Sequence, residues 1–320
     1  MSNEVFDSLL IASFGRNYIA RSLAKNASGE EEFWEVNSRG KKHLAAVGDR
    51  LTLTKTSNNQ AVIEKIQPRK NLLFRSDAFR SKSIAANVDQ VMLVLATQPA
   101  FSPDLLGRAA IAAEHDGIEF RILLNKIDLS ESLEKARELL TPYRQLGIPI
   151  HEISAKSSPE SLMALRAHLA GKVSVLVGQS GMGKSTLLNQ WVPSALAQTR
   201  EHSIKLDTGK HTTTACRYYD LPSEWGSLHG KLGALIDSPG FQEFGLAHIS
   251  ESELQHAFTE FGPYLGHCKY NNCSHLHEPE CAVLTAVSLG KISTQRLNLF
   301  RQLVHETRNA SSQVLERPTK

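Results

Sequence analysis

The sequence predicts three parts: a small N-terminal β-barrel, a central α/β domain with a largely parallel sheet, and a C-terminal helical domain. Short β-type segments broken by turn residues continue to about residue 75. Nearly continuous apolar runs alternate with helical patterns from residue 88, and further helical patterns follow residue 245. A chain of 320 residues has room for two or three domains. We place them at residues 1–78, 79–245 and 246–320.

The composition is that of a globular protein, with 41% hydrophobic and 22% charged residues. A net charge of +3 is modest, so binding to a polyanion would need a local basic patch. The sequence shows neither an apolar run of about 20 residues, as a membrane span needs, nor a signal-peptide pattern at its start. We therefore expect a cytoplasmic protein without a membrane partner, monomeric by default. Its four cysteines suit thiols or metal ligands better than disulfides.

The N-terminal part reads as β segments at 5–14, 33–36, 50–54 and 61–66, separated by Gly, Asn and Asp turns. This spacing is typical of a small barrel, and an oligonucleotide-binding (OB) barrel would use basic and aromatic side chains. The candidate stacking residues are Phe14, Tyr18, Phe33 and Trp34. The basic residues are Arg39, Lys41, Lys42, Arg69, Lys70, Arg75, Arg80 and Lys82. An equally good interpretation places the aromatic residues in the barrel core beneath a solvated basic rim.

The central part alternates strands and helices. Residues 88–96 are almost continuously apolar, as a fully buried parallel strand requires. Further strands are predicted at 120–124, 149–153, 173–177, 218–219 and 232–236, with helices at 103–114, 133–145 and 159–169. This alternation predicts a doubly wound sheet of about six strands.

A phosphate-binding loop (P-loop) of the form GxxxxGKS follows the strand at 173–177 and opens a helix, which is the context that this motif needs. Its glycines let backbone N–H groups surround a β-phosphate at a helix N-terminus. Lys184 supplies charge to the β- and γ-phosphates and Ser185 a hydroxyl to Mg²⁺. The predicted nucleotide-binding residues here are Gly178, Gln179, Ser180, Gly181, Met182, Gly183, Lys184, Ser185 and Thr186.

Asp237-Ser238-Pro239-Gly240 ends the strand at 232–236. Behind a P-loop this motif is specific: Asp237 would hold a water on Mg²⁺, and the Gly240 N–H would contact the γ-phosphate. A polar stretch between the two motifs holds three consecutive threonines at 212–214. One of them, with Thr213 as our choice, would reach Mg²⁺; the alternative is the start of a Thr-rich strand, to which Thr214 could belong.

Two further motifs, each placed just after a strand, are typical of guanine recognition: Asn125-Lys126-Ile127-Asp128 and Ser154-Ala155-Lys156. The Asp128 carboxylate can accept both guanine N1–H and the exocyclic amine, which adenine cannot offer. Asn125 would tie this motif to the P-loop, and the Lys126 stem would lie over the base. The second motif would offer a backbone N–H to guanine O6.

The position after Gly240, where many GTPases carry a water-positioning glutamine, holds Phe241. A phenyl ring cannot orient water, so we expect slow intrinsic hydrolysis and a site completed by another group or a partner. His211 is the candidate for that role, and a solvated loop histidine is an equal alternative.

Cys268, Cys273, His275 and Cys281 form a short C-x4-C-x-H-x5-C cluster. Thiolate and imidazole ligands at such spacing hold zinc tetrahedrally, and a complete set of four is structural. His267 and His277 are less favoured fourth ligands, and Cys216 is predicted to be a buried thiol. Helices are expected at 250–261, 282–289 and 293–306, with residues 311–320 frayed.

With the guanine motifs first, the P-loop second, the Asp237 motif third and the Cys/His cluster last, the chain resembles the RsgA (YjeQ) family of circularly permuted bacterial GTPases. The resemblance covers almost the whole chain. Residues 209–214 are similar to that family's switch sequence, with Lys210 where Arg is usual. It implies the same four zinc ligands, one structural Zn²⁺, and Mg²⁺ with GTP or GDP. It also implies binding to the 30S subunit and its 16S rRNA in late maturation, with hydrolysis stimulated by the subunit.

Two other functions stay open from the sequence: an RNA-binding module with little turnover, and an ATP-dependent P-loop enzyme, which Asp128 disfavours. The rotated order of the motifs also predicts a coupling between the nucleotide site and the zinc domain. Because the chain leaves the γ-phosphate motif and enters the zinc domain directly, nucleotide state could bias how that domain docks on RNA.

Overall fold

The computed structural model describes residues 4–15, 17–38, 45–76, 81–195, 215–228, 230–239 and 244–315. Its first five strands form a barrel in the order β1-β2-β3-β5-β4, closed by β4 against β1, with β3 and β5 parallel. This is the strand order of an OB barrel. The strands are β1 Val5–Phe14, β2 Asn17–Ser22, β3 Phe33–Ser38, β4 Arg50–Ser57 and β5 Gln60–Ile66.

The barrel core decides between the two interpretations of the aromatic residues for Tyr18 and Trp34. Tyr18 and Trp34 are only 2% and 6% exposed and pack with the core leucines of the barrel. Their positions on β2 and β3 point inward, so these two rings stabilise the barrel and are unavailable to a base. Phe14 and Phe33 lie outside the core, in a small apolar cluster that includes Tyr218.

A two-stranded hairpin, β6 Leu72–Ser76 and β7 Ser81–Ala86, leads from the barrel to the α/β domain. This hairpin and β2 are not among the strands expected from the sequence. Of the basic residues proposed for RNA, Arg69 pairs with Asp49 at 2.6 Å and Lys70 with Asp89 at 2.8 Å. These two side chains therefore help to hold the barrel and linker in place.

The α/β domain contains the six-stranded sheet expected, in the order β10-β9-β8-β11-β15-β12, with β12 antiparallel to β15. The strand that carries the P-loop, β11, comes fourth along this domain yet lies in the middle of the sheet. Its strands are β8 Gln90–Ala96, β9 Glu119–Asn125, β10 Ile150–Glu152, β11 Val173–Val177, β12 Cys216–Asp220 and β15 Ala234–Asp237. A short hairpin, β13 Ser227–Leu228 and β14 Lys231–Leu232, precedes β15.

The helices of this domain are α1 Pro103–His115, α2 Leu133–Gln145, α3 Pro159–Met163, α4 Arg166–Leu169 and α5 Lys184–Trp191. The helix expected over 159–169 is thus two short ones. The strand expected over 232–236 also divides, at Gly233. A Cβ at Gly233 would lie 2.3 Å from the Leu169 carbonyl oxygen, so the backbone there passes too close to α4 for any side chain.

The barrel and the α/β domain share one sheet, because β1 pairs with β12 through Ala12 opposite Arg217 and Ser13 opposite Cys216. Cys216 is a buried thiol that donates to the Ile84 carbonyl, as expected. The junction is thus built from backbone hydrogen bonds rather than a flexible linker.

The C-terminal part comprises α6 Glu251–Ala257, a 3₁₀ segment Thr259–Tyr264, α7 Ala282–Ser288 and α8 Thr294–Leu315. Ser250 and Glu253 form the capping box that opens α6. Helix α8 continues to Leu315, so the expectation of fraying from residue 311 was wrong for residues 311–315. Among the described residues, every helix is too short or too polar to cross a bilayer.

Helix α8 docks on α1 through an ion pair between a buried arginine and a half-buried glutamate, in which Arg108 donates to both carboxylate oxygens of Glu306 at 2.6 and 2.7 Å. The two helices cross closely at Gly107, where a Cβ would lie 2.2 Å from Leu299. The C-terminal domain therefore packs on the helix that follows β8.

Candidate nucleotide-binding and zinc sites

The P-loop connects β11 to α5 at the carboxyl edge of the parallel strands, and two glycines fix its course. Gly178 has a φ of 151°, and a Cβ there would meet the Val94 carbonyl oxygen at 2.4 Å. Gly183 has a φ of 99°, and a Cβ there would lie 2.2 Å from Nδ2 of Asn125. Larger residues would force the loop away from its neighbours, so the motif's glycines are required sterically.

Lys184 curls back over the loop. Its Nζ donates to the carbonyl oxygens of Gly178 at 2.6 Å and Gln179 at 2.9 Å. Burial lowers the pKa of this ammonium, while the nearby Asp237 carboxylate acts in the opposite direction. A buried cation that donates to neutral carbonyls at a helix N-terminus is suited to receive the charge of a phosphate.

Asn125 ties three loops together. Its Nδ2 donates to the Met182 carbonyl at 3.0 Å, and its Oδ1 accepts from the Ala155 N–H at 3.0 Å. Its side chain is 2% exposed, so both bonds are shielded from water. The two guanine-type motifs and the P-loop, far apart in sequence, therefore meet around one amide.

Lys126 extends this contact along the P-loop. Its Nζ donates to the carbonyls of Gln98 at 2.7 Å and Gly181 at 2.8 Å, so its stem spans the space between the two loops. The Lys126 backbone has a φ of 63°, and its carbonyl accepts from Thr97 Oγ1 at 2.8 Å. The stem can thus form one wall of a base-binding slot, as the sequence predicts.

Asp128 is exposed, and Ser154 Oγ donates to its Oδ1. This hydrogen bond is the main reason that the pKa of Asp128 is lowered. The carboxylate is therefore ionised and oriented while one face stays open to solvent, which suits an acceptor of two guanine N–H groups. Ile127 is half-buried and Lys156 exposed beside it.

Asp237 ends β15 beside the P-loop strand, in register with Leu176. Burial raises its pKa to about 6, and the positive charges of Lys184 and Arg217 act against that rise. Ser238 anchors the turn by donating to the Leu176 carbonyl at 2.6 Å. Carboxylate and hydroxyl oxygens are the donors that Mg²⁺ prefers, so Asp237 and Ser185, at the same sheet edge, fit a magnesium site.

Some predicted site residues lie outside the described residues: His211, Thr213, Gly240 and Phe241. The structure brings together the remaining motifs: Asn125 to Asp128, Ser154 to Lys156, Gly178 to Thr186, and Asp237. Gln179, predicted only to bind nucleotide, also makes a structural contact. Its Oε1 accepts from the Ser102 N–H at 3.0 Å and so joins the P-loop to the start of α1.

The second site is the Cys/His cluster between α6 and α7. One ligand atom from each of Cys268, Cys273, His275 and Cys281 lies within 4.8 Å of the others. His275 Nδ1 is 3.4 Å from Cys281 Sγ and 3.5 Å from Cys268 Sγ. Burial raises the pKa of Cys273 to about 12, so a thiolate here requires a cation beside it. Three soft thiolates and an imidazole fit a structural zinc ion.

The loop of this cluster is held by Glu278, which the sequence analysis did not identify. Its carboxylate accepts from the Ser274 hydroxyl and from the backbone N–H groups of Ser274, Leu276 and His277. These bonds lower its pKa. They also turn His275, with a φ of 59°, toward the cysteines. His267 and His277 are exposed and outside the cluster.

The RsgA GTPase family model matches residues 66–247, which include all the nucleotide motifs. The chain belongs to the RsgA GTPase family. It is a GTP-hydrolysing enzyme with a circularly permuted GTPase domain, an N-terminal barrel, and a helical C-terminal part whose Cys₃His cluster fits zinc.

Its curated relatives are similar along nearly their whole length. The small ribosomal subunit biogenesis GTPase RsgA of Ralstonia pickettii (strain 12J) is 51% identical over 300 residues, which cover 93% of this chain and 92% of the relative. The protein of the same name from Burkholderia pseudomallei (strain K96243) is 52% identical over 298 residues, with 93% and 91% covered.

Solved structures share the whole fold. The crystal structure of YjeQ from Thermotoga maritima has a TM-score of 0.66 and 30% identity, covering 95% of this chain and 99% of that one. YloQ, described as a circularly permuted GTPase, has a TM-score of 0.64 and 24% identity, with 99% and 98% covered. The second of these supports the fold alone.

Proposed function

We propose that this enzyme acts in biogenesis of the small ribosomal subunit in the cytoplasm. It would bind the 30S subunit and its 16S rRNA late in maturation, and the subunit would stimulate hydrolysis of GTP to GDP and phosphate. The names of relatives that are 51–52% identical support this role. The OB-type barrel supports contact with RNA, since such barrels commonly bind oligonucleotides.

The observation that carries the nucleotide assignment is the amide of Asn125, which joins Met182 of the P-loop to Ala155 of the second guanine motif. Around it, Asp128 would pair with guanine N1–H and the exocyclic amine, and the Ala155 region would face O6. Backbone N–H groups of residues 178–186 would surround the phosphates, with Lys184 between the β- and γ-phosphates. Ser185 and Asp237 would hold Mg²⁺, which when bound neutralises developing negative charge on the phosphates.

Three parts of the proposal fall on residues outside the described ones. Thr213 would complete the magnesium site, the Gly240 N–H would contact the γ-phosphate, and His211 would position the attacking water in place of a glutamine, because Phe241 cannot. Slow hydrolysis by the free protein would follow from that substitution. The route from the γ-phosphate motif into the zinc domain would let nucleotide state alter docking on the subunit.

The direct test measures GTP hydrolysis with and without purified small subunits, and cosedimentation with those subunits in GDP and in a non-hydrolysable GTP analogue. The proposal expects hydrolysis to rise strongly with subunits, and the analogue to favour the bound state over GDP. Equal hydrolysis with and without subunits, together with no cosedimentation in either nucleotide, would overturn the ribosomal role and leave the GTPase assignment standing.

A further inference from the structure

Arg217 lies where the barrel meets the GTPase sheet, and none of the sequence motifs includes it. It sits at the start of β12, directly opposite Asp237 on β15 on one side and Ala12 on β1 on the other. Because directly opposed residues of antiparallel strands project from the same face, Arg217 and Asp237 share a face at the nucleotide-binding edge.

The guanidinium is held by the barrel. Its Cζ lies 5.2 Å from the ring centroid of Phe14, the last residue of β1, which precedes the turn into β2. Stacking on an aromatic face fixes a cation without neutralising its charge. Among the described residues, Nη1 of Arg217 is buried and has no hydrogen-bond acceptor. Its positive charge is therefore available to act on the neighbouring nucleotide site.

We propose that Arg217 is a specificity-determining residue that favours the triphosphate over the diphosphate, and that the Phe14 ring couples this preference to the barrel. The third phosphate adds negative charge at the edge where Asp237 and Lys184 lie, and a fixed cation there stabilises the added charge. Arg217 acts through the electrostatic effect of its charge and takes no part in the bond cleavage of hydrolysis.

The spacing of the strands sets the size of the effect. From β12 to the P-loop strand β11 is two strand spacings, or about 10 Å. A unit charge at that separation, at an effective dielectric of about 20, changes an equilibrium by about 15-fold without salt and by about threefold with full screening. Because Arg217 is half-buried and only partly screened, we expect an effect of about five- to tenfold. By reciprocity, if a partner bound at the barrel changes the preference for the triphosphate by some factor, the nucleotide must change the affinity for that partner by the same factor. The coupling between nucleotide and barrel rests on the proposed ribosomal role.

The chain offers a matched control on the same strand. Arg21 of β2 forms a two-pronged ion pair with Asp220, three residues beyond Arg217, and also joins barrel to GTPase domain. It lies at the other end of β12, away from Asp237. Arg21→Gln therefore weakens the junction without removing charge from the nucleotide edge.

The test measures the affinities of fluorescent GDP and a fluorescent non-hydrolysable GTP analogue, in excess Mg²⁺, for the full chain and its variants. Arg217→Gln is expected to lower the preference for the triphosphate about five- to tenfold. Arg217→Lys is expected to keep most of it, because the charge stays. Phe14→Leu is expected to lower the preference, with no further loss when added to Arg217→Gln. Arg21→Gln is expected to keep it.

Equal losses in the lysine and glutamine variants would show a structural role and overturn the proposal, as would an equal loss in Arg21→Gln. If Arg217→Gln does not fold, Phe14→Leu still decides, since Phe14 lies in the barrel. With purified small subunits, Phe14→Leu is expected to lose the difference in subunit affinity between the two nucleotides. An unchanged difference refutes the coupling, whereas no subunit binding by the wild type refutes the ribosomal role instead.

Discussion

Replacing Asn125 by alanine removes the amide around which the nucleotide site is assembled. The variant leaves the Met182 carbonyl and the Ala155 N–H without partners. Asn125, Met182 and Ala155 are each only 2% exposed, so water cannot replace the lost bonds. A buried unsatisfied backbone group costs about 1–3 kcal/mol, so the two together cost about 2–6 kcal/mol in the assembled site. A loss of about 3 kcal/mol corresponds to about 100-fold in affinity.

The assay is equilibrium binding of fluorescent GDP, with the free energy of unfolding measured in parallel. We expect Asn125→Ala to bind GDP at least about tenfold more weakly. Asn125→Asp keeps the acceptor for the Ala155 N–H and loses the donor to Met182, so comparing the two variants separates the bonds. The control is Asn189→Ala, at an exposed position of α5. An Asn125→Ala variant within about threefold of wild type would refute the idea that this amide assembles the site.

Three further variants test separate parts of the structure. Gly183→Ala should weaken GDP binding strongly while the protein stays folded, because its Cβ would lie 2.2 Å from Nδ2 of Asn125. Normal GDP binding by this variant would show that the P-loop has room to move. Cys273→Ala should abolish stoichiometric zinc and lower the thermal unfolding temperature, whereas His277→Ala should keep the metal; zinc retained in the cysteine variant would contradict the ligand set. Burial lowers the pKa of His248 to about 4, against about 6.5 in the unfolded chain, so the unfolded state takes up the proton first as the pH drops. The free energy of unfolding should therefore decrease between pH 6.5 and pH 4. At pH 5 the loss should be about 1 kcal/mol, discounted because the ring is half-buried. His248→Gln should flatten this dependence, and an unchanged pH profile would exclude the histidine.

The sequence predicted the sheet and its motifs well because the governing signals are local. Buried parallel strands such as β8 read as apolar runs, and each nucleotide motif follows directly from such a strand. The four residues of the Cys₃His cluster were likewise visible from residue type and spacing. What the sequence left undecided depended on tertiary contacts: Tyr18 and Trp34 look equally suited to a core or to a base until β2 and β3 are seen to point them inward.

Other features could not be read from the chain because their partners are far away in sequence. The pairing of β1 with β12, which makes the barrel and the GTPase domain one sheet, joins residues about 200 positions apart, as does the Arg108–Glu306 contact. Glu278 is an ordinary surface acid in the sequence, and only the turn of the zinc loop brings four donors to its carboxylate. Arg217 has no motif at all, and its placement depends on that same shared sheet.

The central claim is that separated motifs assemble into one guanine-specific site, and Asp128→Asn tests it most directly. An asparagine amide can accept the N1–H of xanthine and donate to its 2-carbonyl, whereas its N–H faces the guanine amine. We expect binding of GDP to fall by about 100-fold, from the loss of one charged hydrogen bond and the added repulsion, and binding of xanthosine diphosphate to rise by a similar factor. A variant that still prefers GDP, with xanthosine diphosphate binding no better than to the wild type, would contradict the account.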